Sequence, residues 1–217
     1  AILVTLVASV VPAALARAKQ ISCANNLNQL DKACKGWAGR HGGSFPKARP
    51  AVGESGVVPP YSCVWKSGEK SLTDSAVEQG PFVGPGALAY RDYIDANVMY
   101  CPASRREDLR YKKVNAAGGT GPWWPLNVMP GGQSMIQISY VQRSTMDGNR
   151  SPRLTDGSFE PVMADAFDEQ PFLDEQHPYG FNVLYLSGAV KFVEADVPGM
   201  SVPSDAESFF KTTLTLN

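Results

Sequence analysis

The chain has 217 residues, 43% hydrophobic and 19% charged, a globular composition that excludes collagen-like structure, and disorder for most of its length. Its formal net charge is −1, so no overall basic field points to nucleic acid. Two histidines, His41 and His177, are too few for a multi-histidine metal enzyme, and the 20 Gly and 17 Pro cluster after residue 40 and indicate a loop-rich body.

Residues 1–16 carry no charge and are almost wholly apolar, with Ile2, Leu3, Leu6, Val7, Val10, Val11 and Leu15 around the whole circumference of a helix. A bilayer span needs roughly 20 apolar residues, so the run is short for one. It also lacks the basic n-region and separate cleavage site of a signal peptide. From Arg17 the sequence continues as a polar helix with an apolar stripe at Cys23, Leu27, Leu30, Cys34 and Trp37. That spacing is the seam of one helix face. The pattern predicts a single helix from residue 1 to about 38, stopped by Gly39 and Gly42-Gly43, with Pro12 as a local kink. The chain thus divides into a helix over 1–40 and a globular head over 41–217.

Residues 44–135 are punctuated by Gly and Pro, and only a short helix near 86–95 and a strand at Val98–Tyr100 stand out. Trp123-Trp124 sits in a Gly- and Pro-bounded loop, suited to packing on the core or to stacking on a sugar or peptide. Strand signals follow at Ile136–Gln142, Pro161–Ala164, Asn182–Leu186 and Ala189–Val193, the last two joined by a Ser187-Gly188 turn. A two-residue loop pairs Tyr185 with Val190 and Val183 with Phe192. Those four side chains then form one apolar face, and the helix stripe is its natural cover. The expected fold class is α+β: a long N-terminal helix on a small antiparallel sheet, with a loop-rich middle.

Charge follows the same division. Seven basic residues and one acid lie between Arg17 and Arg49, against twelve acids and three basic residues between Thr145 and Phe210. Within one subunit such segregation reads as a solvated surface; between copies of the chain it would set orientation more than affinity. The four cysteines, Cys23, Cys34, Cys63 and Cys101, contain no Cys-x2-Cys pair and so read as disulfides rather than zinc ligands. Cys23 and Cys34 stand about 16 Å apart on one helix, too far to bond. Two connectivities to Cys63 and Cys101 stay open, with free buried thiols as a third possibility.

The whole pattern resembles the type IV pilin and pseudopilin superfamily, in the bacterial branch with a C-terminal His-x9-Asp-Gly signature. Four stretches carry the resemblance in order. They are Val11-Pro12-Ala13-Ala14-Leu15-Ala16-Arg17-Ala18, Ser22-Cys23-Ala24-Asn25-Asn26-Leu27-Asn28-Gln29-Leu30, Val98-Met99-Tyr100-Cys101-Pro102, and His177 with Asn182 to Val193. The signature's Asp is Ser187 here, followed by Gly188. Aligned on Pro12, the chain is expected to begin about ten residues inside the family's mature helix, as a truncated form. The resemblance favours Cys23–Cys101 with Cys34–Cys63.

It also implies a structural filament subunit without catalytic activity or required cofactor. Such a subunit is processed by a prepilin peptidase, held in the inner membrane, and added by an assembly platform to an extracellular pilus or a periplasmic pseudopilus. Its partner is then chiefly itself. The competing reading is a membrane-anchored extracytoplasmic module that binds sugar or peptide. His177 reads as a structural histidine near the strand entrance, since no nucleophile motif accompanies it. Asp165, Asp168, Glu169, Asp174 and Glu175 read as a solvated acidic loop. Calcium is the alternative, because some pseudopilins carry it in a C-terminal loop, although the spacing is not that of an EF-hand. Asn149-Arg150-Ser151 is a formal glycosylation sequon.

Overall fold

Helix α1 runs over Ile2–Ala38, 37 residues with Pro12 inside it, and is about 55 Å long. This is the helix the periodicity predicts. It closes where the Gly39 N–H donates to the Lys35 carbonyl and the Gly43 N–H to the Ala38 carbonyl. The computed structural model describes residues 2–47, 52–53, 56–57, 62–64, 84–104, 135–143, 150–165 and 180–194.

Strands β1 (Val52–Gly53) and β2 (Gly56–Val57) form a small ribbon, and β3 (Ser62–Val64) pairs with β4 (Met135–Gln137). Between them lie α2 (Pro85–Tyr90) and a 3-10 turn at Ala96–Met99. The main sheet has four antiparallel strands in the order β5 (Tyr140–Gln142), β6 (Pro161–Asp165), β7 (Gly180–Tyr185) and β8 (Val190–Glu194). One long helix against a small antiparallel sheet is an α+β architecture.

The five stripe residues Cys23, Leu27, Leu30, Cys34 and Trp37 are all buried. They meet Leu88, Met99, Ile138, Met163, Leu184 and Leu186 in one cluster. Burying large apolar side chains is worth about 1.5–3 kcal/mol each, so this seam is the main support of the fold. A register shift between Pro161 and Met163 turns the successive residues Val162 and Met163 both into that core.

Three expectations need correction. The strand expected at Val98–Tyr100 is the end of the 3-10 turn. The Asp95 carboxylate accepts from the Asn97 N–H at 3.0 Å and the Tyr100 N–H returns to the Asn97 carbonyl, which curls the chain instead of extending it. The single strand expected at Ile136–Gln142 is two strands, broken where the Ser139 N–H donates to the Met99 carbonyl.

The third correction is the hairpin register. The Gly188 N–H donates to the Tyr185 carbonyl, and the Tyr185 N–H to the Ala189 carbonyl. The loop is therefore three residues, Leu186-Ser187-Gly188, with Gly188 left-handed at φ 90°. Leu184 faces Val190 and Val183 faces Lys191. A one-step shift in pairing changes which side chains share a face. Leu184, Leu186 and Val190 join the core under α1. Val183 is buried outside that cluster, and Tyr185 is half-buried with the Lys191 ammonium over its ring.

Gly180 is left without a side chain for a packing reason: a Cβ there would collide with the Val193 carbonyl oxygen and the Phe192 ring. The corrected register is testable by urea unfolding. Leu184→Ala is expected to cost about 2–5 kcal/mol, and Tyr185→Ala distinctly less, because only the first opens a cavity under the helix.

Candidate functional site

The upper end of α1 leaves the body. Every side chain from Val10 to Lys19 is exposed, and Val10, Val11, Leu15 and Ile21 are each more than half exposed. Of the expected apolar set, the side chains of Ile2, Leu3, Leu6 and Val7 lie outside the described residues. Among the described residues, no helix is long and apolar enough to cross a membrane. The helix therefore presents apolar surface continuous with the charged residues Arg17 and Lys19.

Contact with the body begins at Gln20, whose carbonyl accepts from the Asn182 side chain at 3.5 Å. One turn further on, Cys23 and Cys101 are joined by a disulfide with a Cα separation of 5.1 Å. The resemblance favours this pair, and both residues are fully buried. Around it, the Tyr140 hydroxyl donates to the Cys23 carbonyl at 3.4 Å and the Asn26 amide to the Tyr100 carbonyl at 3.1 Å. Burial first, and the Asp165 carboxylate second, push the Tyr140 phenol well above its ordinary range.

Asp165 is not in a solvated loop. It ends β6, fully buried, and its Oδ2 accepts from both the backbone N–H of Asn182 at 2.6 Å and its side-chain amide at 2.9 Å. Antiparallel pairing places the two residues side by side, and charge-assisted bonds offset the cost of burying the carboxylate. The Cys23 and Cys101 sulfurs also lie close to it. Sulfurs bonded to each other are not thiolate ligands, so this trio does not make a metal site. Asp168, Glu169, Asp174, Glu175 and His177 lie outside the described residues, as do Trp123, Trp124 and Asn149.

Cys34 overturns the Cys34–Cys63 pairing: it is a free thiol, fully buried in the core under the helix. Burial chiefly, and Asp31 next, push its thiol far above the usual range, while Lys35 acts the other way. The Cys63 side chain lies outside the described residues.

Ser187 and Gly188, the signature positions, form the tip of the hairpin and rest on α1 beside the Asp31–Lys35 pair, joined at 2.8 Å. A Cβ on Gly188 would come within 3.0 Å of both partners, so the tip requires glycine for space as well as for backbone. An open cleft of about 650 Å³ lies between this tip and Asn25, Asn28, Gln29 and Lys32 of the helix. Its lining is side-chain amides, the charged Asp31 and Lys32, and the Ser187 hydroxyl.

A rigid turn over Arg150–Glu160 was not singled out from sequence. The Arg150 guanidinium grips Asp156 at 2.9 and 2.6 Å, and the Arg153 N–H donates to the same carboxylate at 2.8 Å. The turn is tied to the helix end by the Phe45 N–H to Pro152 and the Leu154 N–H to Gly43. At its tip Phe159 is 84% exposed. Comparison with protein-family models, with curated proteins and with solved structures finds no match for this chain.

Two measurements check this geometry. In native protein Cys34 is expected to resist alkylation until unfolding, whereas replacing Cys23 and Cys101 together by Ser lowers stability by about 2–5 kcal/mol. The Arg150 hydrogen bonds, foremost, hold the Asp156 carboxyl below its usual range. A carboxyl depressed in the folded state stabilises above its unfolded pKa and loses that contribution as pH falls. The hydrogen-exchange protection factor of the 150–160 turn, taken relative to the intrinsic rate at each pH, is thus expected to fall below about pH 4 in wild type. In Asp156→Asn it is low already at neutral pH.

Proposed function

We propose that this chain is a structural, non-catalytic subunit of a filament of the type IV pilus or pseudopilus kind. The observation that carries the reading is the helix segment Val10–Lys19, exposed on every side and apolar at Val10, Val11 and Leu15. A helix apolar around its circumference is stable in water only when something buries it. Identical helices from neighbouring copies do so by a head-to-tail contact that does not close, and the product is a helical polymer with the sheet bodies outside.

The resemblance in the four sequence stretches supports the same reading. It adds the life history: a peptidase-processed precursor in the inner membrane, then delivery by an assembly platform to a filament at the cell surface. The disulfide Cys23–Cys101 suits an oxidising compartment of that kind.

Electron microscopy of full-length protein sheared from cells or assembled after purification tests the proposal. Wild type is expected to give long, uniform filaments. Val10→Asp or Leu15→Asp is expected to abolish them, because each copy would bury an unpaired charge in the bundle. Monomeric wild type, or normal filaments from both variants, overturns it.

A further inference from the structure

The Cys23–Cys101 bond has a carboxylate for a neighbour. Its two sulfurs and an Asp165 carboxylate oxygen lie within 4.8 Å of one another, and none of the three residues is more than 1% exposed. Strand pairing puts the carboxylate there. Asp165 closes β6 opposite Tyr140 of β5, and its Oδ2 accepts both the backbone N–H and the side-chain amide of Asn182 from β7. The other groups around the bond are the Tyr140 phenol, which donates to the Cys23 carbonyl, and the neutral amides of Asn26 and Asn182. Lys19, one turn above Cys23, is exposed, where water weakens its field.

Reduction of this bond creates negative charge where a carboxylate already stands. A thiolate of a dithiol reductant attacks one sulfur and expels the other as a thiolate. The reductant's second thiolate then closes its own disulfide and expels the first sulfur, and each expelled sulfur takes up a proton afterwards. Both steps place a second anion within 4.8 Å of Asp165, in a low-dielectric interior where like charges repel strongly. The Tyr140 phenol registers the same field, since burial first and Asp165 second push it up.

We propose that Asp165 guards the Cys23–Cys101 bond against thiol reductants, so that α1 stays covalently locked to the body. The carboxylate opposes the leaving sulfur. The hydrogen bonds from Asn182 to Gln20, from Tyr140 to Cys23 and from Asn26 to Tyr100 close the neck around the bond and shut the attacking thiol out. Burial alone would slow the attack, but only the charge raises the barrier to the thiolate that must leave. The lock belongs to the single chain and stands independently of the filament reading.

The test uses the full-length oxidised chain with dithiothreitol at neutral pH, followed by alkylation and peptide mapping of Cys23 and Cys101. Rates are compared at equal stability, with urea added to the more stable protein until both unfold with the same free energy. Asp165→Asn is then expected to be reduced roughly tenfold or more faster than wild type. Asp165→Glu, which keeps the charge, is expected to stay slow. Equal rates for wild type and Asp165→Asn, or equally fast reduction of both variants, overturn the proposal. A pH profile supplies a readout that a purely structural role does not move. In reduced, folded wild type, alkylation of Cys23 and Cys101 is expected to keep rising with pH beyond the ordinary thiol value of about 8.5. In Asp165→Asn the rise is expected to level off at lower pH. The wild-type profile needs no variant, and one that levels off at the ordinary value also overturns the proposal.

Discussion

The seam between the lower half of α1 and the rest of the chain supports everything else in this protein. Cys23, Leu27, Leu30, Cys34 and Trp37 meet the sheet on one side and the mid-chain helix and turn on the other. The four short strands of the main sheet have too little internal bonding to hold alone. They, like the described mid-chain helix and turn, bury apolar side chains against the same helix face. The Cys23–Cys101 bond adds a covalent tie between that face and a point 78 residues further along, which restricts the unfolded chain as well as the folded one.

Apolar contact sets how strongly the helix adheres, but it does not choose a single height. The polar groups around the neck do. Gln20 and Cys23 offer carbonyls to Asn182 and Tyr140, and Asn26 reaches the Tyr100 carbonyl. A slide by one turn would break these bonds inside a low-dielectric interior, where an unmade hydrogen bond is costly. Asp165 belongs to the same arrangement. It holds Asn182 from the neighbouring strand, so the residue that touches the helix is itself fixed by the sheet. Glycine at 188 completes the other end, letting the hairpin tip lie close to Asp31 and Lys35.

Above Gln20 the physics changes. Among the described residues, nothing from the body covers the side chains of residues 10–19, and an isolated helical segment of this length is marginal in water. In the proposed filament, neighbouring copies supply the stability of that half. The division between a self-sufficient lower half and a dependent upper half is the structural basis of the proposed polymer.

The helix and its buried stripe were legible in the sequence because they are local: a period of 3.6 needs only the neighbouring turns to be read. So were the existence of the final hairpin and the α+β class. The hairpin's register was not, since Ser187-Gly188 suits a two-residue turn as well as the three-residue turn that forms. The demand of both Leu184 and Leu186 for the helix face accompanies the second choice. In the sequence Asp165 is one of a run of acids, and only the pairing of β6 with β7 shows it buried against Asn182. Cys34 has the spacing of a disulfide partner, and only the core around it leaves it a free thiol. Sequence alone determined which residues are apolar and at what interval. Tertiary structure decided which polar and sulfur atoms meet, because those distances join positions tens of residues apart that no local pattern connects.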